Sequence, residues 1–150
     1  MFIIDTCSLI DLKRNYSTQV FVSLWSSIKD LIDNGELISL KEVQNELVKD
    51  DKEFWTGIHN NNGKNFFVDA HDKEIECLTQ LEGFSIYDEE WAEGESMSDP
   101  LLICFGIANN HIVVTEENQR SERRIPYVCK QVGVDCINLN QFFEDNKWEF

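Results

Sequence analysis

The sequence predicts an α/β fold in which helices flank a central, mainly parallel sheet of about five strands. Short apolar runs rich in β-branched residues alternate along the chain with segments whose apolar residues recur every three or four positions. The chain has 150 residues, the size of one typical domain, and its 42% hydrophobic content is sufficient for a core. Because the sequence contains no internal repeat, linker or low-complexity tract, we expect one domain over residues 1–150.

Five short apolar runs are the predicted strands. Their successive apolar positions are typical of strands that are buried on both faces of a parallel sheet. In chain order they cover residues 2–4, 37–38, 66–68, 111–115 and 134–137, and the third is expected at an edge. Helical segments between the runs provide the connections that parallel pairing requires.

The connecting segments carry helix signals. Apolar residues recur at helical spacing over residues 18–33, with Thr18 as the N-cap and Asn34-Gly35 as the stop. Ser39, followed three residues later by Glu42, has the capping-box pattern at the start of a helix over 40–49. Further helices are predicted from residue 8, at 54–58, 72–82, 99–108 and 125–131, and from residue 139. The polar run 59–64 is predicted to be a loop, and the acidic segment 88–98 is predicted to be a mobile loop or a surface held by a partner.

Charge, cysteines and hydropathy argue against three classes of protein. Lys and Arg number 13 against 28 Asp and Glu, so the formal net charge of −15 disfavours non-specific binding to nucleic acid. No run of about 18 apolar residues is present, and the opening MFIIDTCSLI lacks the basic region of a secretory signal. Five cysteines without a C-x-x-C pair disfavour structural zinc and fit a reducing cytoplasm. Membrane proteins, secreted disulfide scaffolds and basic nucleic-acid-coating proteins are therefore poor matches.

Five acidic residues occupy positions that a solvated surface does not explain. Asp5 directly follows the first predicted strand, and Glu116 and Glu117 directly follow the fourth. Asp99 lies in the first turn of the helix before the fourth strand, and Glu46 lies one or two turns into the helix after the second. Since sites in open α/β sheets form at the carboxyl ends of the strands, all five side chains can project to one edge of the sheet.

Carboxylates that converge in this way call for a positive partner. At an effective dielectric constant near 20, two charges 4 Å apart interact by about 4 kcal/mol. A ligand set made only of oxygen atoms favours Mg²⁺ or Mn²⁺, which can activate a water molecule and shield a phosphate. Thr6 and Ser8 beside Asp5, and Thr115 beside Glu117, add hydroxyls that can orient a water molecule or hold a carboxylate.

Each acid also has a purely structural explanation. Asp5 could begin a turn, Asp99 could cap its helix, and Glu46 could be a solvated helix residue. The two glutamates after the fourth strand could form a surface turn. Glu42 is explained better by the capping box than by a metal site.

At this point the motifs resemble those of the PIN domain, a small metal-dependent ribonuclease fold. The opening FIIDTCSLI resembles the family's apolar strand, acid and hydroxyl residues, with Asp5 as the first acid. Glu46 in SLKEVQNELVK and Asp99 in SDPLLICFGIANN match the second and third acids, and VVTEEN places the fourth at Glu117. The tail VGVDCINLNQFFED is also similar, so the resemblance covers residues 1–145, and DTCSLI and VVTEE are similar to a DUF4411-type subgroup. Two departures are Cys7 in the opening motif and Glu rather than Asp as the fourth acid.

The resemblance implies both a fold and an activity. The fold is a PIN-like α/β/α sandwich, and the activity is hydrolysis of phosphodiester bonds in RNA. Asp5, Glu46 and Asp99 would hold Mg²⁺ or Mn²⁺, with Glu117 as a fourth acid and Thr115 as a polar helper. PIN-type toxins are commonly held by a cognate antitoxin protein and often dimerise, so an antitoxin and a second copy are the implied partners.

Basic and aromatic residues supply candidate contacts for RNA. Arg120, Arg123 and Arg124 follow the fourth acid and could bind phosphate, or could instead pair with neighbouring glutamates or a partner protein. The tryptophans at positions 55, 91 and 148 could stack on bases or contact a partner, although filling of the core explains them better.

Three functions follow from these observations. The leading hypothesis is a metal-dependent endoribonuclease that acts as the toxin of a toxin–antitoxin pair. The alternative is a non-catalytic PIN-like module that binds RNA or protein, which Cys7 and the strong acidity favour. Phosphoryl transfer through an aspartyl-phosphate on Asp5 is disfavoured, because haloacid-dehalogenase-type phosphatases usually carry a second Asp where this chain has Cys7.

Overall fold

A single sheet of five parallel strands forms the centre of the molecule. The computed structural model of the chain describes residues 1–61, 66–87 and 98–149, with residues 59–61 described by their main chain only. The strands are β1 (Phe2–Ile4), β2 (Leu37–Leu40), β3 (Phe67–Val68), β4 (Ile112–Val114) and β5 (Cys136–Ile137). They lie in the order β3-β2-β1-β4-β5, and every pair is parallel. The predicted α/β class with a mainly parallel sheet is confirmed.

Helices fill the connections between the strands. They are α1 (Thr6–Asn15), α2 (Val22–Asp33), α3 (Lys41–Asn61), α4 (Asp72–Glu76), a 3₁₀ helix (Cys77–Leu81), α5 (Ser98–Asn109), α6 (Ile125–Val132) and α7 (Leu139–Asp145). Helix α3 is interrupted at Asp51, whose φ of −155° and ψ of 92° are extended. The Asp51 carboxylate accepts a hydrogen bond from the Phe54 N–H at 3.1 Å and so restarts the helix. The charged stretch between two predicted helices is therefore a real break.

Two helix starts differ from the sequence prediction. Helix α2 begins at Val22 rather than Thr18, because the Ser17 carbonyl and hydroxyl both accept from the Val20 N–H and hold the preceding residues in a turn. The predicted capping box is wrong, because the Ser39 hydroxyl crosses to β1 and donates to the Ile4 carbonyl at 2.6 Å. Glu42 Oε2 is left buried without a hydrogen-bond partner in the described part of the chain.

The predicted loops have different outcomes. Helix α3 continues to Asn61, so the first three residues of the polar run 59–64 are helical rather than loop. Residues 62–65 and 88–97 lie outside the described residues, and with them Trp91 and nearly all of the acidic segment. Gly35, at φ 72°, terminates α2 as predicted, since the left-handed region favours glycine.

The helices form two layers around the sheet. Since crossovers between parallel strands are almost always right-handed, we expect the connections on the β2 side of β1 to cover one face of the sheet and those on the β4 side to cover the other. In agreement, α1 packs on α3, whereas α5 packs on α4, the 3₁₀ helix and α6. Trp55 is fully buried, so its interpretation as a core residue is confirmed. In the parts of the chain described here, no helix combines the length and the apolar character needed to cross a bilayer.

The strand order determines where a site can form. From β1 the chain builds outward to β2 and β3 in one direction, and to β4 and β5 in the other. The carboxyl ends of β1 and β4 therefore flank the point where the strand order reverses, and connections that diverge there leave a crevice. Asp5 and Thr115 are the first residues after these two strands.

Candidate functional site

Asp5 lies at the centre of this crevice and begins α1. Its N–H donates to the Val114 carbonyl at 3.1 Å, which continues the β1–β4 register by one residue. Its Oδ1 accepts from the Ser8 N–H at 2.9 Å, so the carboxylate caps the helix. The residue is only 2% exposed. A strand and a helix thus fix one buried carboxylate from both sides.

The other oxygen of Asp5 receives two side-chain donors. Thr115 Oγ1 donates to Oδ2 at 2.5 Å, and Cys7 Sγ lies 3.3 Å from the same oxygen. The buried Ser8 hydroxyl is close enough to lower the pKa of Asp5, although its geometry falls short of a hydrogen bond. Burial nevertheless dominates and raises the pKa of Asp5 above its ordinary value. The donors only partly replace the water that this carboxylate has lost.

Glu46 joins three helices at the same crevice. One of its oxygens accepts from the Thr6 hydroxyl in α1, and the other accepts from Ser98 Oγ in α5 at 2.7 Å. Asp99 follows Ser98 in the first turn of α5 and is half-buried. The second predicted acid therefore touches the starts of the helices that carry the first and the third.

Glu117 completes the cluster from the side of β4. Its N–H donates to Thr115 Oγ1 at 3.1 Å, and its Oε2 accepts from the Ile125 N–H at 3.0 Å. Burial raises the pKa of Glu117 above its ordinary value, and the negative charges of Asp5 and Glu46 raise it further. Asp5 and Glu46 are therefore both close enough to Glu117 for their charges to repel it. The carboxylates of Asp5, Glu46 and Glu117 are named here the acid cluster.

Cys7, the departure from the expected opening motif, lies inside this cluster. Burial raises the pKa of its thiol, and the neighbouring charges of Asp5 and Glu117 raise it further. The thiol therefore stays protonated and donates to Asp5. It acts as a neutral donor at a position where another carboxylate would add repulsion.

The remaining predicted site residues lie at the rim. The Glu116 side chain is exposed and accepts from the Leu139 N–H at 2.5 Å, so it anchors α7 rather than joining the cluster. Arg124 places Nη1 3.8 Å from Glu117 Oε1, with 57% of its side chain exposed. Arg120 and Arg123 are exposed in the preceding loop, where their N–H groups donate to Asn118 and Ser121 side chains.

The donor chemistry of the cluster fits a hard dication. Carboxylate and hydroxyl oxygens are the ligands that Mg²⁺ and Mn²⁺ prefer, and a positive charge would reverse the raised pKa values of Asp5 and Glu117. Within the described ranges, however, no three acidic, histidine or cysteine side chains already stand as a ligand set. Hydroxyls occupy oxygens of Asp5 and Glu46 in this arrangement.

Sequence reasoning missed Ser98 and the Ile125 N–H. Ser98 directly precedes Asp99 at the start of α5, and a hydroxyl at such a position was a detectable signal. The Ile125 N–H is a main-chain donor at the start of α6, left without a partner inside the helix. The Ile125 N–H reaches Glu117 only because the chain after β4 passes close to the start of α6.

One comparison with known proteins gives a match. A family model described as "Domain of unknown function (DUF4411)" matches residues 2–150 of the chain. No curated protein matches the chain.

Proposed function

We propose that this chain, which belongs to the DUF4411 family of domains of unknown function, is an endoribonuclease dependent on Mg²⁺ or Mn²⁺. The observation that carries the proposal is the acid cluster at the point where the strand order reverses. Its carboxylates come from segments far apart in sequence, burial raises the pKa of Asp5 and Glu117, and repulsion raises the pKa of Glu117 further. The resemblance of the four acid motifs to those of PIN domains supports RNA as the substrate.

In this proposal Asp5, Glu46 and Asp99 hold the metal, with Glu117 as the fourth acid. A bound dication would shield phosphate charge and would supply a water molecule of lowered pKa as the nucleophile for hydrolysis. The protein contributes the orientation of the carboxylates. Thr115 Oγ1 and the Ser8 N–H fix the two oxygens of Asp5, which reduces the reorganisation that binding requires.

The rim supplies positive charge on the substrate side. Arg124 lies beside Glu117 with its guanidinium largely in solvent, so it can contact a phosphate while it remains near the cluster. Since the chain carries a net charge of −15, such local cations oppose the repulsion of the RNA backbone.

The same resemblance supports a role as the toxin of a toxin–antitoxin pair. An antitoxin protein and a second copy of the chain are then the expected partners. Expression of the active chain in a bacterial host should slow growth, and expression of Asp5→Asn should not. Equal growth inhibition by both would contradict this role.

Cleavage of RNA tests the enzymatic proposal directly. A labelled single-stranded RNA should be cut in Mn²⁺ and left intact in EDTA. Asp5→Asn keeps the acceptor for the Ser8 N–H but removes the charge, and it should abolish cleavage. Asp30→Asn changes an exposed acid on α2 and is the matched control. Equal cleavage in EDTA, or by Asp5→Asn, would refute the mechanism.

A non-catalytic PIN-like module is the second candidate, and one observation favours it. Both oxygens of Glu46 and both oxygens of Asp5 already accept hydrogen bonds, so the cluster is satisfied without a metal. Binding of Mn²⁺ separates the two candidates. If millimolar Mn²⁺ gives no thermal shift and no heat of binding while RNA still binds, the module is correct and the enzyme is not.

A further inference from the structure

We infer that a cleft beside the acid cluster binds one nucleotide of a single-stranded RNA, adjacent to the phosphate that is cut. The inference rests on the proposed function and extends it to the substrate. It assigns Tyr127 as the stacking platform for the base and Lys130 as the contact to a flanking phosphate.

The cleft adjoins the acid cluster directly. It is a cavity of about 460 Å³ bounded by the end of β4, by β5 and by α6. Thr115 is part of its wall, and the hydroxyl of the same residue lies 2.5 Å from Asp5 Oδ2. Thr115 therefore lies between the cleft and Asp5, and a strand whose phosphate reaches the cluster can place its neighbouring nucleotide in the cleft.

One helix face supplies the chemistry of the wall. Tyr127, Lys130 and Gln131 are spaced three and four residues apart on α6, so they share a face, and all three line the cavity. Gln119, from the loop after β4, lines it as well. An aromatic ring, an ammonium group and side-chain amides provide stacking, phosphate contact and hydrogen bonds to a base edge.

The charge of the cleft differs from that of the molecule as a whole. The chain has 28 acidic and 13 basic residues, yet the wall has one carboxylate, Asp135, and one ammonium, Lys130. The cleft is therefore formally neutral in a chain of net charge −15. A polyanion approaching the acid cluster meets less repulsion along this path.

The volume and mixed lining suit a nucleotide in an unpaired strand. Sites for small ligands usually enclose about 300–1,000 Å³, and this cavity lies within that range. Stacking on Tyr127 requires a base that can leave its neighbours, which bases of a single strand can do more easily than bases of a duplex. The inference therefore excludes duplex RNA as the preferred ligand.

Binding of RNA to an uncut complex tests the inference. Asp5→Asn serves as the parent variant, and fluorescence anisotropy of a labelled eight-nucleotide RNA gives its affinity. Adding Tyr127→Leu should weaken binding about tenfold or more, since it removes a stacking platform. Tyr127→Phe keeps the ring and should bind within twofold of the parent. Retained affinity in Tyr127→Leu, or equal affinity for a duplex of the same sequence, would overturn the inference.

The salt dependence of binding tests the phosphate contact separately. Lys130→Met should lower the slope of log affinity against log salt by about 0.7, the value for one phosphate contact on a single strand. Lys52→Met, at an exposed lysine outside the cleft, should leave the slope unchanged. Since Lys130 is exposed, its variant remains informative even if Tyr127→Leu folds poorly. An unchanged slope in Lys130→Met would refute the contact.

The kinetics of the active chain distinguish failure of this inference from failure of the proposed function. With Asp5 intact, Tyr127→Leu should raise KM and leave kcat nearly unchanged, as expected for lost binding that is equal in ground and transition states. If the wild type cleaves RNA and Tyr127→Leu has the same KM, the assignment of the cleft is wrong and the nuclease proposal remains. If RNA binding depends on Tyr127 but no cleavage occurs, the assignment of the cleft remains and the nuclease proposal is wrong.

Discussion

The two ends of helix α1 lie beside acids in opposite electrostatic conditions. At its start Asp5 is 2% exposed, and burial raises its pKa. At its end Lys13 Nζ lies 3.1 Å from Asp50 Oδ2 and 3.3 Å from Asp51 Oδ2. The Lys13 ammonium lowers the pKa of Asp50, whose side chain is 25% exposed. A single helix of ten residues thus separates an acid that burial penalises from a pair that a cation stabilises.

The comparison distinguishes an acid in a stabilising ion pair, Asp50, from a buried acid whose charged form is disfavoured, Asp5. Negative charge at a helix start and positive charge at its end both favour the helix dipole, so both ends of α1 are favourable by that rule. Desolvation exceeds this effect at Asp5, and the nearest cation to the acid cluster among the described ion pairs is Arg124, 3.8 Å from Glu117. Asp50 is paired with Lys13, whereas none of the described ion pairs includes Asp5. A buried acid with a raised pKa is a candidate for a functional residue.

The largest difference between the two regions should be in activity. Glu46→Gln keeps an acceptor for one of the Thr6 and Ser98 hydroxyls and offers an N–H donor to the other, but it removes a charge from the proposed ligand set. Loss of several kcal/mol of charge stabilisation should slow RNA cleavage about 100- to 1,000-fold. Asp50→Asn should cleave at the wild-type rate within a factor of about two, since surface substitutions have small effects. Initial rates in Mn²⁺ measure both variants, and equal rates would contradict a functional difference between the two regions.

A smaller effect is expected from the hydroxyl that joins two of the acids. Thr115→Val keeps the shape but removes the donor to Asp5 and the acceptor for the Glu117 N–H. Hydrogen bonds to charged groups contribute about 1.5–3 kcal/mol, and the free energy of unfolding should fall by an amount in that range. Thr79→Val, where the hydroxyl is exposed and bonds only the Glu76 carbonyl, should cost less than about 0.5 kcal/mol. Urea unfolding at pH 7 compares them, and equal losses would contradict the role of Thr115.

The class of sheet was predictable from the sequence because strands that are buried on both faces consist of continuous apolar runs. The apolar runs of β1 and β4 were predicted as buried strands of a parallel sheet, whereas their pairing with each other emerged only in the structure. Helix starts were less predictable, since they depend on which partner a short polar side chain selects. Ser39 has a local acceptor pattern but donates across the sheet to Ile4, 35 residues away. Tertiary contact overrides local capping there.

The acid cluster was predictable from topology, but its contacts were not. Asp5 and Glu117 were expected at one edge because both follow predicted strands of one parallel sheet, in which sites form at the carboxyl ends of the strands. The sequence predicted that Asp5, Glu46 and Asp99 share one edge, but no spacing reveals that the Thr6 and Ser98 hydroxyls, at the starts of α1 and α5, donate to Glu46. Glu116 and Glu117 are adjacent and chemically identical in sequence. Only the direction of the chain after β4 sends one to Leu139 and the other to Ile125.

The smallest predicted effect separates the ends of α1 by the sign of their pH dependence. The folded pKa of Asp5 lies above its ordinary value of 3.8, so the stability linked to it is complete below pH 3.8 and is lost as pH rises through the folded pKa. Asp5→Asn should therefore gain stability relative to wild type as pH rises from 4 to 8. The folded pKa of Asp50 lies below 3.8, so its contribution is present above that pH and is lost as pH falls through the folded pKa.

Asp50→Asn should accordingly be less stable than wild type at pH 7, by less than about 1 kcal/mol because the ion pair is partly exposed, and should match it at the acidic end. Urea unfolding of wild type and both variants in EDTA, at pH values from 3 to 8, gives the two differences. Asp5→Asn and Asp50→Asn should diverge in opposite directions as pH rises. If both variants lose stability with rising pH, Asp5 is held as an ordinary ion-paired structural acid, and the electrostatic ground for assigning function to its end of the helix disappears.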